Sequence, residues 1–85
     1  MASYTLKITR KAVKALKKIH PVHRERINEA IDDLAEDPRP PGVRKLSGCE
    51  QTWRIRIGDY RVIYDLYDDE LVVLVLRVAH RKDAY

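Results

Sequence analysis

Three short segments, "TWRIRI", "YRVIYDLY" and "LVVLVLRV", follow one another with only Gly58-Asp59 and Asp68-Asp69 as punctuation, and no other feature of the chain constrains its fold so tightly. Runs rich in β-branched and aromatic residues, separated by turn-forming pairs, read as strands joined by hairpins. The C-terminal half is therefore expected to be an antiparallel meander. Its last strand contains six consecutive apolar residues, Leu71 to Leu76, the makings of a strand buried on both faces. Within a few positions the chain turns to His80, Arg81, Lys82 and Tyr85.

The first hairpin places its side chains. With Gly58 and Asp59 as a two-residue loop, Ile57 lies opposite Tyr60, Arg56 opposite Arg61 and Arg54 opposite Ile63. Arg54, Arg56 and Arg61 then share one face. Trp53, Ile55, Ile57, Val62, Tyr64 and Leu66 point to the other, toward whatever covers the sheet. Like charges directly opposite cost up to about 1 kcal/mol, which a bound anion would offset. The competing reading is a solvated face partly neutralised by Asp59, Asp65 or Asp83. With Asp68-Asp69 as a second two-residue loop, Leu76 faces Arg61, and Val78 and His80 fall on the arginine side.

Upstream, "SYTLKIT" alternates as a half-buried strand, with Tyr4, Leu6 and Ile8 on one face. Thr9 suits the N-cap of a helix over "RKAVKALKKIH", whose Val13, Leu16 and Ile19 recur at helical spacing while lysines fill the opposite side. Pro21 ends it. A second helix over "PVHRERINEAIDDLAED" stripes Ile27, Ile31, Leu34 and Ala35 and stops before Pro38. "DPRPPGV" connects the helical hairpin to a short extended piece around Val43 to Leu46, then to the meander. At 85 residues, with no repeat or linker, the chain is expected to be a single α+β domain, an N-terminal strand and helical hairpin packed on a C-terminal antiparallel sheet.

Composition excludes several functions. Hydrophobic residues at 45% and charged residues at 35% fit a globular protein, and no apolar run approaches the roughly 20 residues a membrane span needs. "MASYTLKITRK" lacks a secretory leader core, so no membrane partner and a cytoplasmic location are expected. Cys49 is the only cysteine, which rules out an internal disulfide or a multi-cysteine zinc site. It is read as a small loop residue, and Ser47-Gly48 as a turn. His20 and His23 fall between the helices without a third ligand, where capping or exposure is expected rather than a metal. A formal charge of +4 favours anionic partners.

The blocks "RKLSG", "WRIRIGDYRVIY" and "RVAHRKDAY", in that order and spacing, resemble the RelE/ParE superfamily of toxin–antitoxin systems, over nearly the whole chain. The resemblance implies a RelE-like microbial RNase-type fold and the toxin of a type II system. In RelE-like members this is a ribosome-dependent endoribonuclease that cleaves mRNA in the 30S A site, against rRNA, by attack of the 2′-hydroxyl, with no metal or cofactor. It also implies a cognate antitoxin and a toxin–antitoxin hetero-oligomer. ParE-like members instead poison DNA gyrase, which is the alternative. Carried over by position, the candidate catalytic residues are Arg56, Arg61, His80, Arg81 and Tyr85, and the candidate RNA-binding residues Arg54, Arg44, Lys45 and Lys82. Some RelE proteins have lysines where this chain has Arg54 and Arg56, and arginine is a poor general base.

Internal cleavage of RNA needs a base for the 2′-hydroxyl, positive charge around the phosphorane, and a proton for the departing 5′-oxygen. Arg56 and Arg61 offer forks matched to phosphate oxygens, and Arg81 can serve the leaving oxygen. His80 is the only side chain near the cluster that ordinarily titrates near neutrality, and is expected to exchange the proton. Tyr85 is expected to stack on a base or hydrogen-bond the nucleophile.

Overall fold

The computed structural model describes residues 3–46, 48 and 50–82. The readings of Ser47, Cys49, Asp83 and Tyr85 lie outside the described residues. Seven elements follow in order: β1 (Thr5–Ile8), α1 (Arg10–Lys17), α2 (Pro21–Asp33), β2 (Arg44–Lys45), β3 (Thr52–Ile57), β4 (Tyr60–Tyr67) and β5 (Val72–His80). The strands form one sheet in the order β1-β5-β4-β3-β2. The α+β class is as expected, with one refinement: β1 is not packed on the sheet but joins it, parallel to β5, with Leu6 beside Val73 and Ile8 beside Val75. The remaining pairings are antiparallel.

Both helices start where their caps dictate. The Thr9 hydroxyl accepts the Ala12 N–H at 3.2 Å and donates to the Leu76 carbonyl at 2.9 Å, so one residue caps α1 and fastens it to β5. His20 Nδ1 accepts the Val22 N–H at 3.2 Å, and Pro21 occupies the first turn of α2, where its missing N–H costs nothing. Ala12, Leu16 and Ile19, with Ile27, Ile31 and Leu34, are buried against Ile55, Val62, Tyr64, Leu66, Val73, Val75 and Val78 of the sheet. Val13 and Ala35, expected in the same stripes, are only half-buried.

The β3–β4 hairpin has the expected register: Ile57 faces Tyr60, Arg56 faces Arg61 and Arg54 faces Ile63. Gly58, with φ of 59°, takes the left-handed backbone that the first position of such a tight loop requires. The β4–β5 connection differs in two ways from the two-residue loop read at Asp68-Asp69. Its loop has four residues, because Tyr67 pairs with Val72, and a bulge between Ile63 and Tyr64 shifts the register so that Tyr64 faces Val75 but Ile63 faces Arg77. Arg61 consequently faces Ala79, not Leu76. Val78 lies in the core at 3% exposure, and His80 pairs with Tyr60, so neither is on the arginine side.

The proline-rich connection is pinned to the sheet. Arg39 donates to both oxygens of Asp68, at 2.7 and 3.3 Å, and its guanidinium lies 5.1 Å from the Trp53 ring centroid. Tyr4 donates to the same carboxylate at 2.6 Å, and the fully buried Tyr64 donates to the Pro38 carbonyl at 2.7 Å. Burial pushes the Tyr64 phenol well above its ordinary range, so it remains a donor.

Tyr64→Phe is expected to cost about 1 kcal/mol in chemical denaturation, because it strands the Pro38 carbonyl; an unchanged midpoint would show that water satisfies that group instead. A second expectation concerns acid. The Arg39 guanidinium, then the Tyr4 hydroxyl, hold the Asp68 carboxyl below the usual carboxylate range. Because the folded value is the lower one, this stabilisation is complete above about pH 4, the ordinary aspartate value, and fades as pH falls through the depressed one. Arg39 and Asp68 are both about half-exposed, so the effect is small and salt-sensitive. Asp68→Asn should shrink the acid-side drop in melting temperature, and an identical drop in both proteins would refute the assignment.

Candidate anion-binding site

The hairpin register brings arginines together. Directly paired residues share a face, so Arg56 and Arg61 project together. Arg44 of β2 faces Arg54 of β3, which makes a second like-charge pair. Beyond the bulge, Arg77 faces Ile63 and joins the same side. Five arginines from four strands thus lie on the face turned away from the helices. Arg54, Arg61 and Arg77 are half-buried, as expected where aliphatic stems lie along the sheet and charged heads reach outward.

Four of them, Arg44, Arg54, Arg56 and Arg61, line one cavity of about 620 Å³, together with Asp33 and Ala30 of α2 and the Pro40-Pro41-Gly42 turn. β2 pairs only with Trp53 and Arg54, so no strand covers the edge of β3 beyond them. The cavity lining includes helix-side Ile55 as well as the arginines, so the cavity wraps that open edge. Four guanidinium side chains lining one concavity are the residue type whose planar fork matches phosphate-type oxygens. Asp33 is the one carboxylate in the lining.

The expected site residues are only partly united. Arg44, Arg54, Arg56 and Arg61 meet as described, and the Arg56 Nε–H also donates to the Gly58 carbonyl at 3.2 Å. Arg81 donates its backbone N–H to the Asp59 carbonyl at 2.7 Å, and its side chain lies 3.9 Å from the Asp59 carboxylate, beside the turn between Arg56 and Arg61. Lys45 pairs with Trp53, not with an arginine, and its ammonium sits 5.8 Å from that ring. Lys82 is exposed and donates its backbone N–H to His80 Nδ1 at 3.2 Å. His80 lies across the sheet, edge-on to Tyr60 with ring centroids 5.3 Å apart. Asp65, read as a possible counter-charge, is buried and accepts the hydroxyls of Thr52 at 2.6 Å and Tyr67 at 3.2 Å.

Sequence reasoning did not find Asp33, which sits at the polar end of a helix with no local pattern to mark it. It also missed Arg77, although that residue had a visible signal. Strict alternation from Val73 and Val75 would bury Arg77, and a charged guanidinium is costly to place in an apolar core. Among the described residues, no group of three or more histidine, cysteine or acidic side chains is arranged to hold a metal ion.

The chain is similar to known proteins over nearly its whole length. The family of ParE toxins of type II toxin–antitoxin systems matches residues 6–85. Toxin RelG of Mycobacterium tuberculosis is 36% identical over 86 residues, covering 96% of this chain and 95% of that protein. The mRNA interferase toxin RelE of Escherichia coli is 28% identical over 82 residues, covering 94% and 85%. The crystal structure of an archaeal RelE–RelB complex from Pyrococcus horikoshii contains a chain that superposes with a TM-score of 0.84 at 36% identity, covering 96% of this chain and 99% of that one.

Arg56→Ala and Arg61→Ala are each expected to leave the protein folded, because Arg56 is exposed and Arg61 only half-buried on the outer face of the sheet. Each should also weaken binding of a short single-stranded oligonucleotide and lower its salt dependence. A variant that unfolds would make the arginine structural.

Proposed function

The chain belongs to the ParE toxin family of type II toxin–antitoxin systems, and we propose that within it this protein is a RelE-like mRNA interferase that cleaves mRNA in the ribosomal A site. The observation that carries the reading is the four-arginine cavity, joined to sequence likeness with proteins named RelE toxins and mRNA interferase. Guanidiniums set opposite one another suit an anionic ligand, and repulsion between like charges opposes their pairing without one. A pentavalent phosphorane offsets that repulsion.

In this reading Arg54, Arg56 and Arg61 grip the scissile phosphate, and Arg44 holds a neighbouring one. The 2′-hydroxyl oxygen attacks phosphorus as its proton leaves, the P–O5′ bond breaks, and the products are a 2′,3′-cyclic phosphate and a 5′-hydroxyl. Arg81, placed at the hairpin turn by Asp59, steadies the charge developing on the departing oxygen. Asp33 is the acceptor within the cavity for the nucleophile's proton. Tyr85 keeps the role of base stacking or hydrogen bonding to the nucleophile that the resemblance gives it. His80 takes a different role from the proton exchange read in the sequence. It pairs with Tyr60 on the face opposite the arginines, and its Nδ1 accepts the Lys82 N–H, so it stands apart from the phosphate-holding groups.

A cognate antitoxin is expected to silence the protein by covering the basic cavity with an acidic or amphipathic segment. Brief expression should stop protein synthesis before DNA replication, with primer extension mapping cuts in translated mRNA that persist in EDTA. Intact mRNA together with gyrase-linked DNA breaks would overturn the proposal in favour of a ParE-like poison. Asp33→Asn should lower single-turnover cleavage by roughly 10²- to 10⁴-fold, the reach of general base catalysis. His80→Gln should retain the wild-type pH profile. Loss of that profile in His80→Gln, with Asp33→Asn fully active, would return proton transfer to His80.

A further inference from the structure

All three histidines of the chain gather at one end of the molecule, on the side of the sheet opposite the arginines, in a single row of rings. His20 and His23 have centroids 6.3 Å apart, His23 and Tyr60 5.6 Å, and Tyr60 and His80 5.3 Å. The row joins residues from α2, its N-cap, β4 and β5. A cavity of about 220 Å³ opens beside it, bounded by His23, Tyr60 and His80, by Arg26, and by the Gly58-Asp59 turn.

Rings serving only to seal the end of the core would be enclosed, but His23 is exposed, Tyr60 and His80 are half-exposed, and a charged Arg26 shares the cavity. His20 is accounted for by its cap on α2, and the cap explains nothing about the other three. The hairpin tip links this cavity to the arginine cavity. Tyr60 and Arg61 are consecutive residues, about 3.8 Å apart at Cα, and the strand's alternation sends one to each face. A nucleic acid strand rounding the tip would keep phosphate on the arginine side while a neighbouring base met the rings. Single-stranded RNA is held in this way, by cations along its backbone and flat side chains against unstacked bases.

We infer that His23, Tyr60 and His80 form a stacking subsite for one unpaired base of RNA, adjacent to the nucleotide whose phosphate the arginine cavity holds. The subsite rests on the RNA reading of that cavity. Arg26 adds a planar cation that can stack on the same base, and the Asp59 carboxylate at the rim can accept from a base amino group.

The test uses the whole protein and a set of short single-stranded RNAs in which an abasic nucleotide is moved through the sequence, with binding followed by fluorescence anisotropy. One abasic position should weaken wild-type binding by roughly 5- to 150-fold, the equivalent of losing one stacked base. His23→Ala and Tyr60→Ala should bind all members of the set alike, with Tyr60→Phe restoring the discrimination. His23→Ala changes an exposed side chain, so it covers the case in which Tyr60→Ala fails to fold. Discrimination at the same position and of the same size in wild type and His23→Ala would overturn the subsite. Cleavage of translated mRNA is measured in parallel. A wild type that cleaves but shows no abasic-sensitive position refutes the subsite alone, while abasic sensitivity erased by the variants without any cleavage supports the subsite and refutes only the reaction.

Discussion

The architecture depends on where Arg77 cannot go. On β5, Val73 and Val75 face the helices and are fully buried, so unbroken alternation would send Arg77 into the same apolar core. Burying an uncompensated guanidinium costs several kcal/mol, far more than the disruption of one ladder step. The bulge resolves the conflict: Leu76 is the extra residue, Arg77 moves to the outer face, and Val78 returns to the core opposite Val62. The irregular backbone is also put to use. The Thr9 hydroxyl bonds to the Leu76 carbonyl and its N–H to that of Val75, so the start of α1 is moored at the bulge.

That one-residue shift also divides the candidate surface. A four-residue loop in place of a two-residue one leaves the faces of β5 unchanged, because both shift the register by an even number. The bulge exchanges them. Every side chain of β5 beyond it changes sides, so Arg77 and Ala79 accompany Arg61 while His80 accompanies Tyr60. An arginine-lined cavity consequently lies on one side of the β3–β4 hairpin and a row of rings on the other, with Gly58-Asp59 between them.

The legible parts of the sequence were those governed by local rules. Thr9 capped its helix, Gly58 closed its hairpin, and the register of Arg54, Arg56 and Arg61 followed by counting from that turn. The four-residue loop was hidden because Asp68-Asp69 has the composition of a tight turn, whereas the chain runs on through Leu71, which itself takes a positive φ of 55°. The parallel pairing of β1 was hidden for another reason. Its partner lies more than sixty residues away, and nothing in "TLKI" specifies a neighbour. Asp33 and Arg44 converge only because α2 and the proline turn close on the β3 edge, which is a tertiary fact.

The same arginines that suit the site oppose the fold. Arg56 stands opposite Arg61 and Arg44 opposite Arg54, and like charges so placed do not by themselves favour a sheet. A chain under selection for stability alone would place opposite charges or threonines there. What compensates lies elsewhere: a closed core of helix stripes against Val62, Tyr64, Val73 and Val75, and a proline turn clamped by Arg39, Tyr4 and Tyr64. This arrangement gathers the arginines at one hairpin, whose strands are held in register by their neighbours. An anion bound there, as proposed, would meet guanidiniums already brought together by the sheet, so its binding would not include the cost of gathering them.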